Sequence, residues 1–471
     1  MIFSSILFIF LFLPIVLGVH FLIAKKYRNL FILIVSLFFY AWGEYLLVLL
    51  MMSSICINYI VGNVISEYQN KGNEKQAKAI LILGTIINLS VLGYYKYIHF
   101  FLDSLSQIGI DLNIDVSNVT LPVGISFFTF QSISYLVDVY RKTVTGQKNL
   151  ISLGMYISLF PQLIAGPIVR YKDIAKEIKS REITTSLFKT GISRFIIGFA
   201  KKVLIANNIG FIADKVFAIA PHELSTPLCW IGIICYSLQI YYDFSGYSDM
   251  AIGLGKMLGF NFKENFEHPY ISKSIREFWR RWHISLSSWF KDYLYIPLGG
   301  NRKGKHRTYV NLLIVFFLTG LWHGASWNFV IWGLFHGTFI VIERLGLIKF
   351  LEKTNLLSRV YTLLVVILGW VFFRVESLED AISFIGKMFS FSSGTNNYPY
   401  LFINNYIIIV ALVGIAFSMP LRKYIAQHTE SVINNKRMLN MLKYSFLIFI
   451  FILSIMELAQ TTYNPFIYYR F

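Results

Sequence analysis

Three histidines stand in or beside apolar segments, where an imidazole could transfer protons. His283 follows FWRRW, while His323 and His336 lie in TGLWHGASWNFVIWGLFHG, Thr319 to Gly337. An imidazole in an apolar environment stays neutral near pH 7, so it can accept a proton from a hydroxyl group. With an oxyanion donor and two aligned substrates, such a base suffices for acyl transfer from a thioester to a hydroxyl.

The two histidines of the second motif are not equivalent. His323 is flanked by Gly320 and Gly324, which allow close approach of another segment or a ligand. On one continuous helix His336 would lie about 220° around the axis and roughly 20 Å away. An ionisable residue inside a membrane segment is a functional-site hypothesis by default. We favour His323 as the base and expect His336 to be a structural, hydrogen-bonded residue.

A strongly basic stretch surrounds His283. Arg276 to Arg307 contains eight Lys and Arg against two acids. At about 100° per residue, the Trp and Phe side chains of Phe278 to Tyr293 fall on one side, with most polar residues opposite. This pattern predicts one amphipathic helix in the membrane interface, followed by a basic glycine-containing loop. The stretch is either a loop of the positive-inside type or a landing site for a phosphorylated donor such as coenzyme A. The candidate donor-binding residues are Arg280, Arg281, Lys291, Arg302 and Lys303.

A third polar cluster occurs in YYDFSGYSDMAIG, Tyr241 to Gly253, where Asp243 and Asp249 bracket two serines. The motif is not GxSxG and no strand precedes it, so a serine nucleophile is not indicated. Helix termination with Asp and Ser capping is the simpler interpretation. The acids could also orient a histidine or hold an arginine of the basic stretch. No CxxC or HExxH motif occurs, so we expect neither a metal site nor an acyl-cysteine.

The rest of the chain must position these residues within a membrane. Its 471 residues are 56% hydrophobic and only 14% charged, with a mean hydropathy of +0.58. Soluble domains carry roughly 25% charged residues, so the composition predicts a polytopic helical bundle. We predict spans at 2–23, 30–65 (two helices), 79–97, 192–216, 227–243, 309–322, 326–342, 358–373, 401–418 and 442–459.

The charge distribution suggests an orientation. The formal net charge of +18 fits basic loops at an anionic cytoplasmic leaflet better than nucleic-acid binding. Lys25–Arg28, Arg344–Arg359 and Arg422–Lys443 are the predicted cytoplasmic loops. Because Lys25, Lys26 and Arg28 follow the first apolar segment, we expect a retained helix with an extracytoplasmic N-terminus.

Two apolar segments contain Pro and Gly and break the pattern. They are LPVGISFFTFQSISY, Leu121 to Tyr135, and FPQLIAGPIVRY, Phe160 to Tyr171. Such breaks are either kinked helices or short segments that line a lumen or tunnel. We see no linker or internal repeat, so we predict one membrane-embedded domain over residues 1–471, with residues 276–307 as its interfacial basic helix and loop.

Four motifs together resemble the membrane-bound O-acyltransferase family, and most closely its bacterial alginate O-acetyltransferase-like branch. They are FWRRWHISLSSWFKDYLYIPLGGNRKG, TGLWHGASWNFVIWGLFHG, YDFSGYSDMAIGLGKMLGF and FPQLIAGPIVR. The resemblance extends over nearly the whole chain. It implies an all-α polytopic bundle around a tunnel, in the cytoplasmic membrane.

The resemblance also implies roles. His323 of GLWHG matches the family's invariant histidine as general base, and His283 of RRWH matches its second polar position. The donor would be acetyl-CoA entering from the cytoplasm, with no tightly bound cofactor. An extracytoplasmic esterase-like partner of the SGNH/GDSL type would complete transfer to a polysaccharide or peptidoglycan.

Two alternatives stay open. One is D-alanyl transfer from a carrier protein, or acylation of a lipid or a protein. The other is a transporter or flippase, for which broken helices and buried polar residues would serve equally well.

Overall fold

The computed structural model describes residues 2–391, 399–421, 435–461, 463–465 and 467, which form helices and loops without a β-strand. The all-α prediction is confirmed. Residues 422–434 of the predicted basic loop lie outside the described residues. The helices are α1 Leu13–Leu22, α2 Arg28–Glu44, α3 Val48–Asn70, α4 Glu74–Gln107, α5 Ile125–Tyr140, α6 Leu150–Ser158, α7 Phe160–Leu163, α8 Tyr171–Lys179, α9 Thr185–Ala200, α10 Asn208–Phe217, α11 Thr226–Met257, α12 Ile275–Arg281, α13 Ile284–Phe290, α14 Gly304–His323, α15 Trp327–Ile342, α16 Ile348–Leu351, α17 Asn355–Arg374, α18 Leu378–Phe389, α19 Asn405–Ser418 and α20 Lys436–Gln460.

Within the described residues, six helical stretches are long and apolar enough to cross a bilayer. They are Lys25–Asn70, Glu74–Gln107, Thr185–Phe217, Trp327–Leu351, Asn355–Arg374 and Arg437–Gln460. The first stretch contains two helices, as predicted, because the backbone breaks at Tyr45, where φ is +46°. The apolar window of Glu74–Gln107 is only 22% buried, which leaves an outer face that lipid can cover.

Four predicted spans belong to helices that do not meet this criterion, and two of them, 2–23 and 401–418, correspond to the shorter apolar helices Phe8–Leu22 and Asn405–Ser418. Residues 227–243 lie in α11 and residues 309–322 in α14, and neither helix is among the six apolar stretches. In α11 the reason is a series of buried polar side chains that lowers its hydropathy, including Gln239, Asp243 and Asp249.

The contacts divide the chain into two compact units. The first comprises Met1–Phe195 and Met250–Lys263, and the second comprises Ile196–Asp249 and Glu264–Phe471. A single domain over residues 1–471 stays a prediction.

The first unit contains both predicted broken segments. Gly124 has a φ of +78°, and α5 then runs unbroken from Ile125, so the segment from Leu121 to Tyr135 is a turn before a buried helix. In the second segment α7 ends at Leu163 and irregular backbone follows up to α8. Tyr156 donates to the Val169 carbonyl oxygen at 3.0 Å, which satisfies part of this buried backbone.

The second unit contains a tight helical hairpin made by α14 and α15. A Cβ atom at Gly333 would lie 2.2 Å from the Phe316 carbonyl oxygen, and one at Gly320 would lie 2.2 Å from that of Phe329. Only glycine allows the two backbones to approach this closely. Helix α14 ends at His323 and a new helix begins at Trp327, so His323 and His336 do not share one continuous helix, and a helix break falls between the predicted segments 309–322 and 326–342.

Candidate active site

His323 lies at the carboxyl end of α14 inside a shell of aromatic rings. Its ring centroid is 4.9 Å from those of Trp322 and Trp332 and 5.2 Å from that of Phe373. Only 5% of the residue is exposed. The hairpin places Trp332 and the end of α14 together, so the aromatic shell follows directly from the helix break after His323.

His336 lies on α15 and contacts the same tryptophan. Its ring is 5.2 Å from Trp332 and 5.2 Å from Trp279, and a Cβ at Gly369 would lie 2.6 Å from its Nε2. Neither ring nitrogen of His336 has a hydrogen-bond partner among the described residues. The predicted hydrogen bond is therefore not found there, although close packing against helix α17 fits a structural residue.

His283 occupies a sharp break between α12 and α13. Its φ of +45° and ψ of +54° place it in the left-handed region, which costs a non-glycine residue conformational energy. The neighbouring chain stabilises the break: Ile284 N–H donates to the Asn265 carbonyl oxygen at 2.9 Å, and Glu267 N–H donates to that of Arg281 at 2.9 Å. The segment carrying Asn265 thus replaces the helical hydrogen bonds that the break removes.

The side chain of Asn265 determines which nitrogen of His283 carries the proton. Its Oδ1 accepts from the Ser285 backbone N–H at 3.1 Å, and a backbone N–H can only donate, so the amide orientation is defined. His283 Nδ1 lies 3.2 Å from this same oxygen and must therefore be the protonated nitrogen. The Nε2 atom then holds the lone pair. Burial lowers the pKa of His283 to about 3, so the ring is neutral near pH 7.

Trp322 brings the two predicted catalytic histidines into one aromatic cluster. Its ring centroid lies 6.1 Å from His283 and 4.9 Å from His323. The His283 ring also meets the edge of Phe244 at 4.6 Å. Two buried imidazoles on separate elements thus share one water-poor neighbourhood, in which electrostatic interactions are stronger than in water.

The prediction of one amphipathic helix after Phe278 is wrong. The chain forms two short helices, α12 and α13, separated at His283. The Trp282 ring lies 4.9 Å from the Trp370 ring, and Phe278 is fully buried, so this aromatic face packs against protein. A position of residues 276–307 in the membrane interface stays a prediction.

The predicted donor-binding residues separate into two groups. Arg280, Lys291, Arg302 and Lys303 are exposed, as a binding surface requires. Arg281 is half-buried and already has protein partners, because it pairs with Glu277 at 2.9 Å and donates to the Glu267 carbonyl oxygen at 3.1 Å.

Two further arginines, Arg276 and Arg344, join the exposed donor-binding candidates, and we call all of these residues together the basic surface. Burial and the nearby guanidinium groups of Arg280 and Arg344 lower the pKa of Arg276. Arg344 also donates to Asn301 Oδ1 at 3.4 Å. Arg276 lies in the basic stretch, whereas Arg344 is distant along the chain, so the sequence gives no sign that Arg344 lies near Arg276. We refer to Arg276, Arg280 and Arg344 as the arginine cluster.

The acids of the third motif have lysine partners. Helix α11 runs through the motif, so the predicted helix termination there is wrong. Lys202 Nζ lies 2.7 Å from Asp243 Oδ1, with both side chains buried, and Lys201 Nζ lies 2.8 Å from Asp249 Oδ2. The Ile467 backbone N–H donates to Asp243 Oδ2 at 3.0 Å, and Lys202 donates to the Pro465 carbonyl oxygen. These acids position helices and chain segments.

Among the described residues, no three His, Cys, Asp or Glu side chains are grouped closely enough to hold a metal ion.

Comparisons with known proteins identify the family of this chain. Residues 37–378 match the model of the membrane-bound O-acyltransferase family. The chain is 41% identical over 490 residues to a probable alginate O-acetylase AlgI of Pseudomonas putida, covering 100% of both chains. It is 37% identical over 424 residues to a peptidoglycan O-acetyltransferase of Helicobacter pylori, covering 82% of this chain and 80% of the relative. It is also 33% identical over 245 residues to a teichoic acid D-alanyltransferase of Bacillus subtilis, covering 50% of this chain and 60% of the relative.

The family match spans both histidines, the basic stretch and the hairpin. The apolar helices and the family together make the chain a multi-pass membrane protein. This protein belongs to the membrane-bound O-acyltransferase family and is an O-acyltransferase resembling the alginate O-acetylases.

Proposed function

We propose that the enzyme moves an acetyl group from acetyl-CoA, bound on the cytoplasmic side, toward hydroxyl groups of an extracytoplasmic polysaccharide or peptidoglycan. The observation that carries the proposal is the placement of His283 and His323 against one tryptophan, Trp322. The names of relatives that match the whole chain or four fifths of it support an acetyl group over other acyl groups.

His323 is the general base in this proposal. Its imidazole takes the proton of the acceptor hydroxyl as the oxygen attacks the thioester carbonyl carbon. The tetrahedral intermediate collapses, the carbon–sulfur bond breaks, and the thiolate leaves with the proton that the imidazolium returns. Enclosure by Trp332 and Phe373 keeps water from competing with the acceptor.

His283 positions the acceptor. With the proton on Nδ1 and Asn265 as its partner, Nε2 offers an acceptor lone pair. That lone pair can hold the acceptor hydroxyl in a defined orientation while His323 removes the proton, which reduces the entropic part of the barrier. The pKa of about 3 keeps the imidazole of His283 neutral through the physiological range.

The basic surface is the proposed docking site of the donor. Coenzyme A carries phosphate groups, which guanidinium groups bind with charge-assisted hydrogen bonds. The exposed residues Arg280, Lys291, Arg302 and Lys303 support this role, together with the arginine cluster. We leave Arg281 out of the proposed docking site because its guanidinium group already pairs with Glu277.

The orientation and the partner complete the proposal. The basic surface faces the cytoplasm by the positive-inside bias, the N-terminus is extracytoplasmic, and the protein resides in the cytoplasmic membrane. We also propose that a separate esterase-like protein of the SGNH/GDSL type performs the final transfer, as the resemblance to the alginate O-acetyltransferase-like branch implies. A tunnel that connects the two sides is part of the same proposal.

Replacement of His323 tests the base role. The purified protein in lipid nanodiscs receives acetyl-CoA labelled in the acetyl group, and release of free coenzyme A and labelled ester are followed together. H323A should lose both activities, whereas H306A, on the exposed part of the same helix, should keep them. Normal ester formation by a folded H323A variant would exclude this role.

D-alanyl transfer is the second candidate, because a teichoic acid D-alanyltransferase matches half of this chain. Offering a D-alanyl-loaded carrier protein in parallel with acetyl-CoA decides between the donors. Flux of a ligand without cleavage of any thioester would favour the transporter interpretation.

A further inference from the structure

Trp332 occupies the centre of the aromatic shell. It is 1% exposed, and its ring lies 4.9 Å from His323, 5.2 Å from His336 and 5.0 Å from Phe373. A second layer of indoles stands around it, with Trp279 at 5.5 Å and Trp370 at 6.2 Å.

This packing limits what can lie beside the base. A carbonyl carbon under attack must be within about 3.5 Å of the oxygen whose proton His323 removes. The acyl group on that carbon is then in van der Waals contact with the rings around His323. An acetyl methyl group needs little space there, but every further methylene on the Trp332 side must displace an indole that is itself held by Trp279 and Trp370.

We propose that Trp332 is a specificity-determining residue that restricts the transferred acyl group to the size of acetyl. This inference rests on the proposed function, and it identifies the wall that excludes longer acyl chains. Interiors are packed densely enough that one additional methylene in a filled site is strongly unfavourable. The wild-type enzyme should therefore discriminate against butyryl-CoA by at least about tenfold.

Trp332 is a better candidate for this wall than its neighbours. Trp322 also contacts His283, so its replacement would disturb both histidines. Trp279 and Trp370 contact Trp332, with ring centroids 5.5 Å and 6.2 Å away, and so support its position. Removing the Trp332 indole would leave a space beside His323 bounded by Trp279, Trp370 and Phe373, and an acyl chain of a few carbons could enter it.

The test measures kcat/KM for acetyl-, propionyl-, butyryl- and hexanoyl-CoA with purified enzyme and a soluble hydroxyl acceptor. The W332A variant should raise the butyryl-to-acetyl ratio by about tenfold or more, and W332F should raise the propionyl-to-acetyl ratio by a smaller factor. The matched control is W289A, a buried indole whose ring packs on Phe290 and Tyr293, and its ratios should equal those of the wild type.

The outcomes separate the two proposals. A wild-type enzyme that transfers butyryl as efficiently as acetyl overturns the inference, as do unchanged ratios in folded W332F or W332A. If W332A does not fold, W332F alone decides, because it keeps an aromatic ring in the shell. A wild-type enzyme that cleaves no acyl-CoA donor, but accepts another thioester, would reject the proposed donor; the same side-chain series on that donor then tests Trp332.

Discussion

Replacing Asn265 by alanine tests whether the orientation of His283 matters for catalysis. Asn265 Oδ1 accepts three hydrogen bonds, from His283 Nδ1 at 3.2 Å, Ser285 N–H at 3.1 Å and Ser285 Oγ at 2.9 Å. In N265A all three donors lose this acceptor inside the protein. The Ser285 hydroxyl can turn to another acceptor, so two donors remain, and at about 1–3 kcal/mol for each buried group left unsatisfied the fold should lose about 2–6 kcal/mol.

The catalytic effect has a separate origin. Ser285 Oγ also lies 3.4 Å from His283 Nδ1. Without Asn265 this hydroxyl can donate to Nδ1, which favours the tautomer with its proton on Nε2 and removes the proposed acceptor lone pair. Losing the hydrogen bond to Asn265 removes about 1–1.5 kcal/mol of preference for the His283 tautomer protonated on Nδ1. This loss should lower kcat by about tenfold, with a smaller change in the KM for acetyl-CoA.

The assay combines thermal unfolding in nanodiscs with ester formation at saturating acetyl-CoA. S285A is the matched control, since it removes the hydroxyl but leaves the bond between His283 and Asn265, so kcat should stay within about twofold of the wild type. A folded N265A enzyme with the wild-type kcat would refute the tautomer argument, whatever its stability.

Three further predictions concern other parts of the second unit. The folded-state pKa of His283, about 3, lies below the ordinary value of 6.5, so between these values the unfolded chain binds more protons. Stability should therefore fall by about 2 kcal/mol as the pH drops from 6.5 to 5, and the melting temperature of H283Q should depend less on pH. K202M should destabilise the protein by about 3–5 kcal/mol because it leaves Asp243 charged and buried, whereas K202M/D243N should cost less in the same unfolding assay. R280A should raise the KM for acetyl-CoA more at low than at high salt, while R281A should change stability but not the KM; equal KM effects would contradict the division of the basic surface.

Much of the fold follows from composition and hydropathy. An apolar run of about 20 residues in a membrane must form its backbone hydrogen bonds within the run, and a helix does this. Five helices are therefore predictable from the sequence alone: α2, α3, α4, α17 and α20. Helix α11 is harder, because its polar residues suggest a helix end. The structure instead pairs Asp243 and Asp249 with lysines, and that pairing allows α11 to continue.

The site was predictable at the level of residue type but not of geometry. His283 and His323 stand out as titratable groups in an apolar chain. Their common neighbour Trp322 and the partner Asn265 carry no local signal, since these contacts depend on tertiary packing. The prediction of one helix from Phe278 to Tyr293 failed for the same reason. Hydrogen bonds from a distant segment stabilise the left-handed backbone conformation of His283.

The hydrogen bonds of Lys202 and Asp243 to the backbone of Pro465 and Ile467 have a consequence for biosynthesis. Lys202 and Asp243 are synthesised more than two hundred residues before Pro465 and Ile467, whose backbone groups form hydrogen bonds with them. Until then the two side chains lack these backbone partners, in helices that precede the carboxyl-terminal segment by most of the second unit. We therefore expect these contacts to form late, after the segment that carries Pro465 and Ile467 has left the ribosome.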